Sequence, residues 1–245
     1  MRVERKLAMK SESGITVVEL LVAISAGLAV LMGVFAVSQG TLRGSARVQQ
    51  RVDATQRARP VMARILDELH SSCVSPGIAP VQSGSTNNSI TFLHSTGNGV
   101  TPGATTTTPL TKRTITLSGT TLTESIYALT GGAAPTWTFN SISTPAAGIR
   151  LLTNVGAGSV DGVTVPMFRY YAYDNTTGLI NPTPLTVPLS ANDAELTVQV
   201  DIAFAVLPTK TQLVEPKTAV TVSDSVLFRF SPAAEDASQS QLPCM

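Results

Sequence analysis

The chain has 245 residues, a formal net charge of +1, and 13% charged against 43% hydrophobic residues. So even a charge balance gives no global electrostatic case for nucleic acid, and no specific nucleic-acid partner is predicted. Aromatic residues make up only 5%, while Thr, Ser, Gly and Pro are plentiful, a composition suited to β-strands and long surface loops around a core of Val, Ile and Leu.

Residues 1–14 carry Arg2, Arg5, Lys6 and Lys10 against Glu4 and Glu12, a net of +2, which leaves −1 for the rest of the chain. They read as a processing segment without fold information. From Ile15 to Val37 run 23 residues whose single charge is Glu19. At about 1.5 Å per residue this is roughly 30 Å of helix or more, the thickness of a bilayer core. The basic residues before it predict a cytoplasmic N-terminus, with everything after Val37 on the other side. A carboxylate near the mouth of such a span costs up to about 3 kcal/mol, less near the interface, so Glu19 is expected to seek a cation or snorkel toward water.

Between Ser38 and Arg64 the pattern turns polar and basic. Arg43, Arg47 and Arg51 fall at i, i+4 spacing, along one helical face. Without interleaved aromatic residues for base stacking, this stripe reads as a solvated face meeting lipid headgroups or acidic neighbours. Pro60 is expected to kink or restart the helix. Beyond it Met62, Ile65, Leu66, Leu69 and Cys73 recur at three- and four-residue steps, an amphipathic face for docking on a sheet. The helix is expected to stop near Ser72, before Ser75-Pro76-Gly77.

Short strands are predicted at 89–94, 114–117, 121–123 and 136–139. The stretches Gly97–Pro109 and Gly156–Gly162 read as loops, and neither carries the Gly-Lys-Ser/Thr ending of a phosphate loop. Val163–Tyr173 reads as one long strand. Leu196, Val198, Val200, Ile202, Phe204 and Val206 alternate with Thr197, Gln199, Asp201, Ala203 and Ala205, the pattern of a long half-buried antiparallel strand. Thr218–Phe230 repeats it with Val220, Val222, Val226, Phe228 and Phe230, as the hairpin partner across residues 210–217.

The two cysteines, Cys73 and Cys244, match neither four-ligand zinc spacing nor C-x-x-C. Outside the cytoplasm such a pair is expected to form a disulfide, and two separate thiols are the alternative. His70 and His94 are the only histidines, and both read as surface or core-edge residues outside any catalytic frame. Asp161, Asp174 and Asp193 sit in Gly/Asn turns, where Asp supports the turn. No metal site, cofactor or enzymatic activity is predicted.

The stretch Gly14-Ile15-Thr16-Val17-Val18-Glu19, following a short basic leader, resembles the class III signal of type IV pilins and type II secretion pseudopilins. That resemblance implies cleavage between Gly14 and Ile15 by a prepilin peptidase, N-methylation of Ile15, and Glu19 at the fifth mature position as the carboxylate that sets subunit register against the N-terminus of a neighbour. The family's usual first mature residue is Phe, and this chain has Ile. The strand order, with Phe168–Asp174, a turn and a long final hairpin, resembles the larger PilW-type minor pilins and J-type pseudopilins.

The implied fold class is α+β: a pilin fold with a long N-terminal helix, its first half membrane-spanning and its second half amphipathic, packed on an antiparallel β-sheet domain. The implied organisation is a leader over 1–14, removed; a helix over 15–72, with 15–37 in the membrane or filament core; and a β-rich head over 73–245. The implied function is that of a minor pilin at or near a pilus tip, priming extension, adhesion or motility. Partners would be other minor pilins and the major pilin through the N-terminal helices, a tip adhesin, and the inner-membrane assembly platform. Before assembly the chain would sit in the bacterial inner membrane. A J-type pseudopilin of a secretion system and a surface binder that never polymerises are the competing readings.

Overall fold

The computed structural model describes residues 16–73, 78–95, 110–132, 136–174, 176–208 and 219–228. The leader, Gly14, Ile15, the Ser75-Pro76-Gly77 stop, the Gly97–Pro109 loop, Phe230 and Cys244 lie outside the described residues. The chain divides into two compact units, Met1–Val48 and Gln49–Met245.

In the first unit the described residues form helix α1, which spans Val17–His70 and so continues into the second. Its apolar residues are bare: Val17, Leu21, Met32, Phe35 and Val37 are each more than 60% exposed. This is the one helix among the described residues long and apolar enough to cross a membrane, and none of its most apolar window is buried. A surface like this has no place in water and is stable only in lipid or against other apolar helices.

In the second unit α1 buries Ala54, Ala58, Met62, Ile65, Glu68 and Leu69. The docking face thus starts before Pro60, where the small side chains of Ala54 and Ala58 give it little hydrophobic signature. The helix is not restarted at Pro60, which lies inside it and removes only one backbone donor. It ends at His70, two residues short of the expected stop.

Two antiparallel five-stranded sheets complete the head. The first holds β1 (Ser89–Ser95), β2 (Leu110–Ser118) and β3 (Thr121–Gly131) in order. The far edge of β3 is shared by β4 (Thr138–Phe139) and β5 (Ile149–Thr153). The second sheet is centred on β9 (Thr197–Val206), which pairs along one side with β10 (Val220–Leu227). Its other side is shared by β6 (Val155–Val160) and β8 (Phe168–Ala172), and β7 (Val163–Val165) pairs with β6. The hairpin expected between 196–206 and 218–230 is therefore formed. A short helix, α2 (Ala191–Leu196), capped by Ser190, takes up Leu196, so β9 starts one residue later than the alternation suggested.

Two strand expectations are corrected. Val163–Tyr173 is broken into β7 and β8 at Pro166, which has no N–H for a ladder. Gly156–Gly162 is mostly strand β6, with only Asp161-Gly162 forming the turn, both at positive φ. The glycine at 158 has a packing reason: a Cβ there would lie 2.9 Å from the Ala203 carbonyl carbon. Asn154, at φ 58, carries the chain from the first sheet to the second; Val155 N–H donates to Thr120 and Leu207 N–H to Asn154.

Both sheets and the second half of α1 share one core. Ile90, Phe92, Ile115 and Leu122 come from the first sheet, and Val200, Ile202, Phe204 and Val226 from the second. Each fully buried side chain of this size contributes roughly 1.5–3 kcal/mol. Tyr170, buried at the same level, donates its hydroxyl to the carbonyls of Thr86 and Ser89, so the turn before β1 is pinned to β8.

Candidate functional site

Glu19 sits in the first turn of α1. Its Oε2 accepts from Thr16 N–H at 3.1 Å and from Thr16 Oγ1 at 3.2 Å, while Glu19 N–H donates back to Thr16 Oγ1 at 3.3 Å. Thr16-Val17-Val18-Glu19 is thus a capping box, with each side chain meeting the other residue's backbone donor. The T-x-x-E pattern before an apolar run is legible in the sequence and was missed as a source of partners for Glu19. No other acidic or basic side chain lies along 17–42, and the stem surface around Glu19 is apolar and exposed.

Of the arginines after the span, Arg43 and Arg51 are exposed. Two others are tied to the head, Arg57 half-buried and Arg64 while still exposed. Arg57 pairs with Asp53 at 3.1 Å and donates to Leu207 O at 3.1 Å. Arg64 pairs with Glu68 at 2.9 Å and reaches Glu124. From β2, Arg113 contacts the same two carboxylates, Glu68 at 3.1 Å and Glu124 at 2.9 Å.

Two cations and two anions therefore meet at the seam between α1 and the first sheet, with Glu124 fully buried and Arg64 reaching it from the exposed side. Burial, and then the charge of Glu124, raises the Glu68 pKa, against the pull of Arg113 and Arg64. The sequence carried two signals of this cluster: the Arg64/Glu68 spacing, and a glutamate at an apolar-phase position between Leu122 and Ile126.

His94 joins the cluster and is 5% exposed, so it is buried rather than a surface or core-edge residue. It falls in phase with Ile90 and Phe92 on the core side of β1. Burial first, and then Arg113, lowers its pKa from 6.5 to about 4, and the ring is neutral at pH 7. Its Nδ1 has no hydrogen-bond partner among the described residues, nor does Glu68 Oε2. His70 is exposed at the end of α1. Ser72 pairs with His94 in an isolated antiparallel bridge, and no group of three or more metal-ligating side chains occurs among the described residues.

Of the three aspartates read as turn supports, Asp174 shows that role, whereas Asp193 lies in helix α2 rather than in a turn. Asp174 Oδ1 accepts from the N–H groups of Thr176 and Thr177, which lowers its pKa. Asp193 lies in the first turn of α2, and Asp161 occupies a left-handed turn position.

Cys73 is fully buried with Ile78, Leu93 and Leu110. Its N–H donates to Leu93 O, which fixes the end of the helical segment to β1.

No protein-family model and no curated protein matches this sequence. Among solved structures the chain is similar to a type IV-like pilin from Thermus thermophilus, at 10% identity and a TM-score of 0.36, over 70% of this chain and 94% of that one.

Proposed function

We propose that this chain is a membrane-anchored filament subunit of the type IV pilin and pseudopilin class. It is made as a precursor, cut between Gly14 and Ile15, N-methylated at Ile15, held in the bacterial inner membrane by residues 15–37, and then moved into a filament. The observation that carries this reading is the bare apolar stem of α1, with Glu19 as its one charge and with its continuation forming part of a folded head. Such a stem fits both environments the class requires, the bilayer and a bundle of like stems. Within a bundle the ammonium of Ile15 on an adjacent subunit would pair with Glu19, and because that pair forms at one axial offset it sets the register. Both Thr16 contacts go to Oε2, so Oε1 would be available to the ammonium of a neighbour while the cap is kept.

Within the class we place the chain as a minor pilin at or near a pilus tip. It would work with other minor pilins, the major pilin, a tip adhesin and the assembly platform in the inner membrane, with a prepilin peptidase acting first. The broad Thr/Gly-rich loop content of the head supports an exposed position, and retention of Glu19 suits a subunit with another above it. A J-type pseudopilin role in secretion shares the same physics. The capping box favours one competing reading specifically: if Glu19 only caps α1, the chain is a tethered surface protein that never polymerises. We further propose that Cys73 is joined to Cys244, since the chain has two cysteines and a head outside the cytoplasm favours their oxidation.

The test is mass spectrometry of sheared extracellular filaments from the native host. A chain beginning at methylated Ile15, co-purifying with other pilins, is expected. A full-length chain confined to the membrane fraction would refute the proposal. Deletion that abolishes pili and motility supports the pilus assignment, whereas loss of protein secretion supports the pseudopilin one.

A further inference from the structure

Strand β10 is the border of the second sheet, and its outer side pairs with no strand among the described residues. It runs eight residues against β9 in a continuous register. Phe228 N–H donates to Val198 O in that same register, which fixes the alternation. Val220, Val222, Asp224 and Val226 therefore exchange bonds with β9, while Thr221, Ser223, Ser225 and Leu227 direct their N–H and C=O groups outward. Ser223, Asp224 and Ser225 are exposed. Of the outward donors, Ser225 N–H is occupied, giving its bond to Asp224 Oδ1 at 2.8 Å.

Long free borders are ordinarily blunted by bulges, prolines or lysines. This one has no bulge, no proline and no lysine, and its only charge is Asp224. Beside it lies a groove of about 240 Å³, lined by Val160, Arg169, Asp201, Ser223, Asp224 and Ser225 among others. Within the groove Arg169 is already committed to Asp201 at 3.0 Å, so Asp224 is the acid without a cationic partner among the described residues.

We infer that the outer side of β10 docks an extended segment of another polypeptide, which pairs as an added strand and places a lysine or arginine in the groove beside Asp224. Main-chain bonds to Thr221, Ser223 and Leu227 supply the attachment, and the basic side chain supplies the choice of partner. A second copy of this strand is disfavoured, because pairing about the middle of β10 sets Asp224 against its own counterpart, and like charges opposite one another repel. The inference rests on the head alone and stands whether or not the chain polymerises.

The test uses the full chain in detergent micelles and two synthetic nonapeptides of alternating Thr and Val, one with a central Lys and one with a central Glu. Amide hydrogen exchange reads out strand addition residue by residue. The Lys peptide is expected to slow exchange at Thr221, Ser223 and Leu227 and to bind about tenfold more tightly than the Glu peptide. Asp224→Lys should reverse that preference. Ser223→Pro should abolish binding while leaving the fold intact, because the Ser223 N–H points away from β9. If that variant fails to fold, the charge reversal at Asp224 decides. Equal binding of both peptides, protection elsewhere, no protection at all, or dimerisation of the chain through β10 without peptide would each overturn the inference.

Discussion

Glu19 has a structural task as well as its proposed task in assembly, and the two are separated by comparing Glu19→Gln with Glu19→Ala. In a capping box glutamine serves as well as glutamate, since either side chain offers an oxygen to the Thr16 N–H. Glu19→Gln therefore keeps the bond seen at 3.1 Å, whereas Glu19→Ala removes it and costs the first turn of α1 about 1 kcal/mol. Pairing with an ammonium group depends on charge. Replacing a hydrogen bond to a charged group loses about 1.5–3 kcal/mol, equivalent to a roughly ten- to hundredfold fall in incorporation. The assay is the ratio of subunit in sheared filaments to subunit in the inner membrane, measured for the native chain and both variants. Membrane insertion should be equal in all three, and filament incorporation should collapse in both variants. If the Gln variant enters filaments at the native level while the Ala variant does not, Glu19 acts as a cap and the register argument is refuted.

Three further outcomes follow from the head. Glu124→Ala leaves Arg64 and Arg113 without the buried carboxylate they share, at a cost of about 3–5 kcal/mol, and thermal denaturation should shift down by about 10 °C; a shift under about 2 °C would mean the cluster carries no stability. Because the His94 pKa is lowered from 6.5 to about 4, its contribution is present above pH 6.5 and is lost as pH falls toward 4, by up to about 3 kcal/mol. Glu68, with its pKa raised, works in the opposite direction over the lower part of that window, so the comparison is with His94→Gln, whose denaturant-measured acid loss should be smaller; identical pH profiles would reject the assignment. Non-reducing peptide mapping should recover Cys73 linked to Cys244, a closure of about 170 residues that the chain-entropy model values at about 5 kcal/mol; two alkylatable thiols or a linked dimer would reject the pairing.

The elements written most plainly in the sequence were those whose burial follows a single period. The exposed stem is apolar all round, and β9 and β10 alternate, so helix and hairpin both follow from pattern alone. The docking face of α1 was legible only from Met62 onward, because Ala54 and Ala58 approach the core closely by being small, and small residues leave little amphipathic trace. Strand β6 was hidden for a related reason: Gly156 and Gly158 look like loop residues, yet the absence of a side chain at 158 is what lets β6 lie against Ala203. The charged seam is hidden because its members come from separate elements, α1, β2 and β3. One partner of Arg64 lies 60 residues away in sequence, and no local pattern records that Glu124 would arrive beside it.

The two surfaces proposed for association are the bare stem of α1 and the side of β10 unpaired among the described residues, and each carries one carboxylate held by a nearby backbone donor. Glu19 accepts from Thr16 N–H, and Asp224 accepts from Ser225 N–H. In both places the local bond leaves further acceptor sites on the carboxylate, and a cation on the right partner adds an ion pair there. An apolar stem or a free strand border without such an acid would adhere to any similar surface. With it, a partner lacking a positive charge must leave the carboxylate desolvated or repelled, and that penalty supplies discrimination without any additional contact.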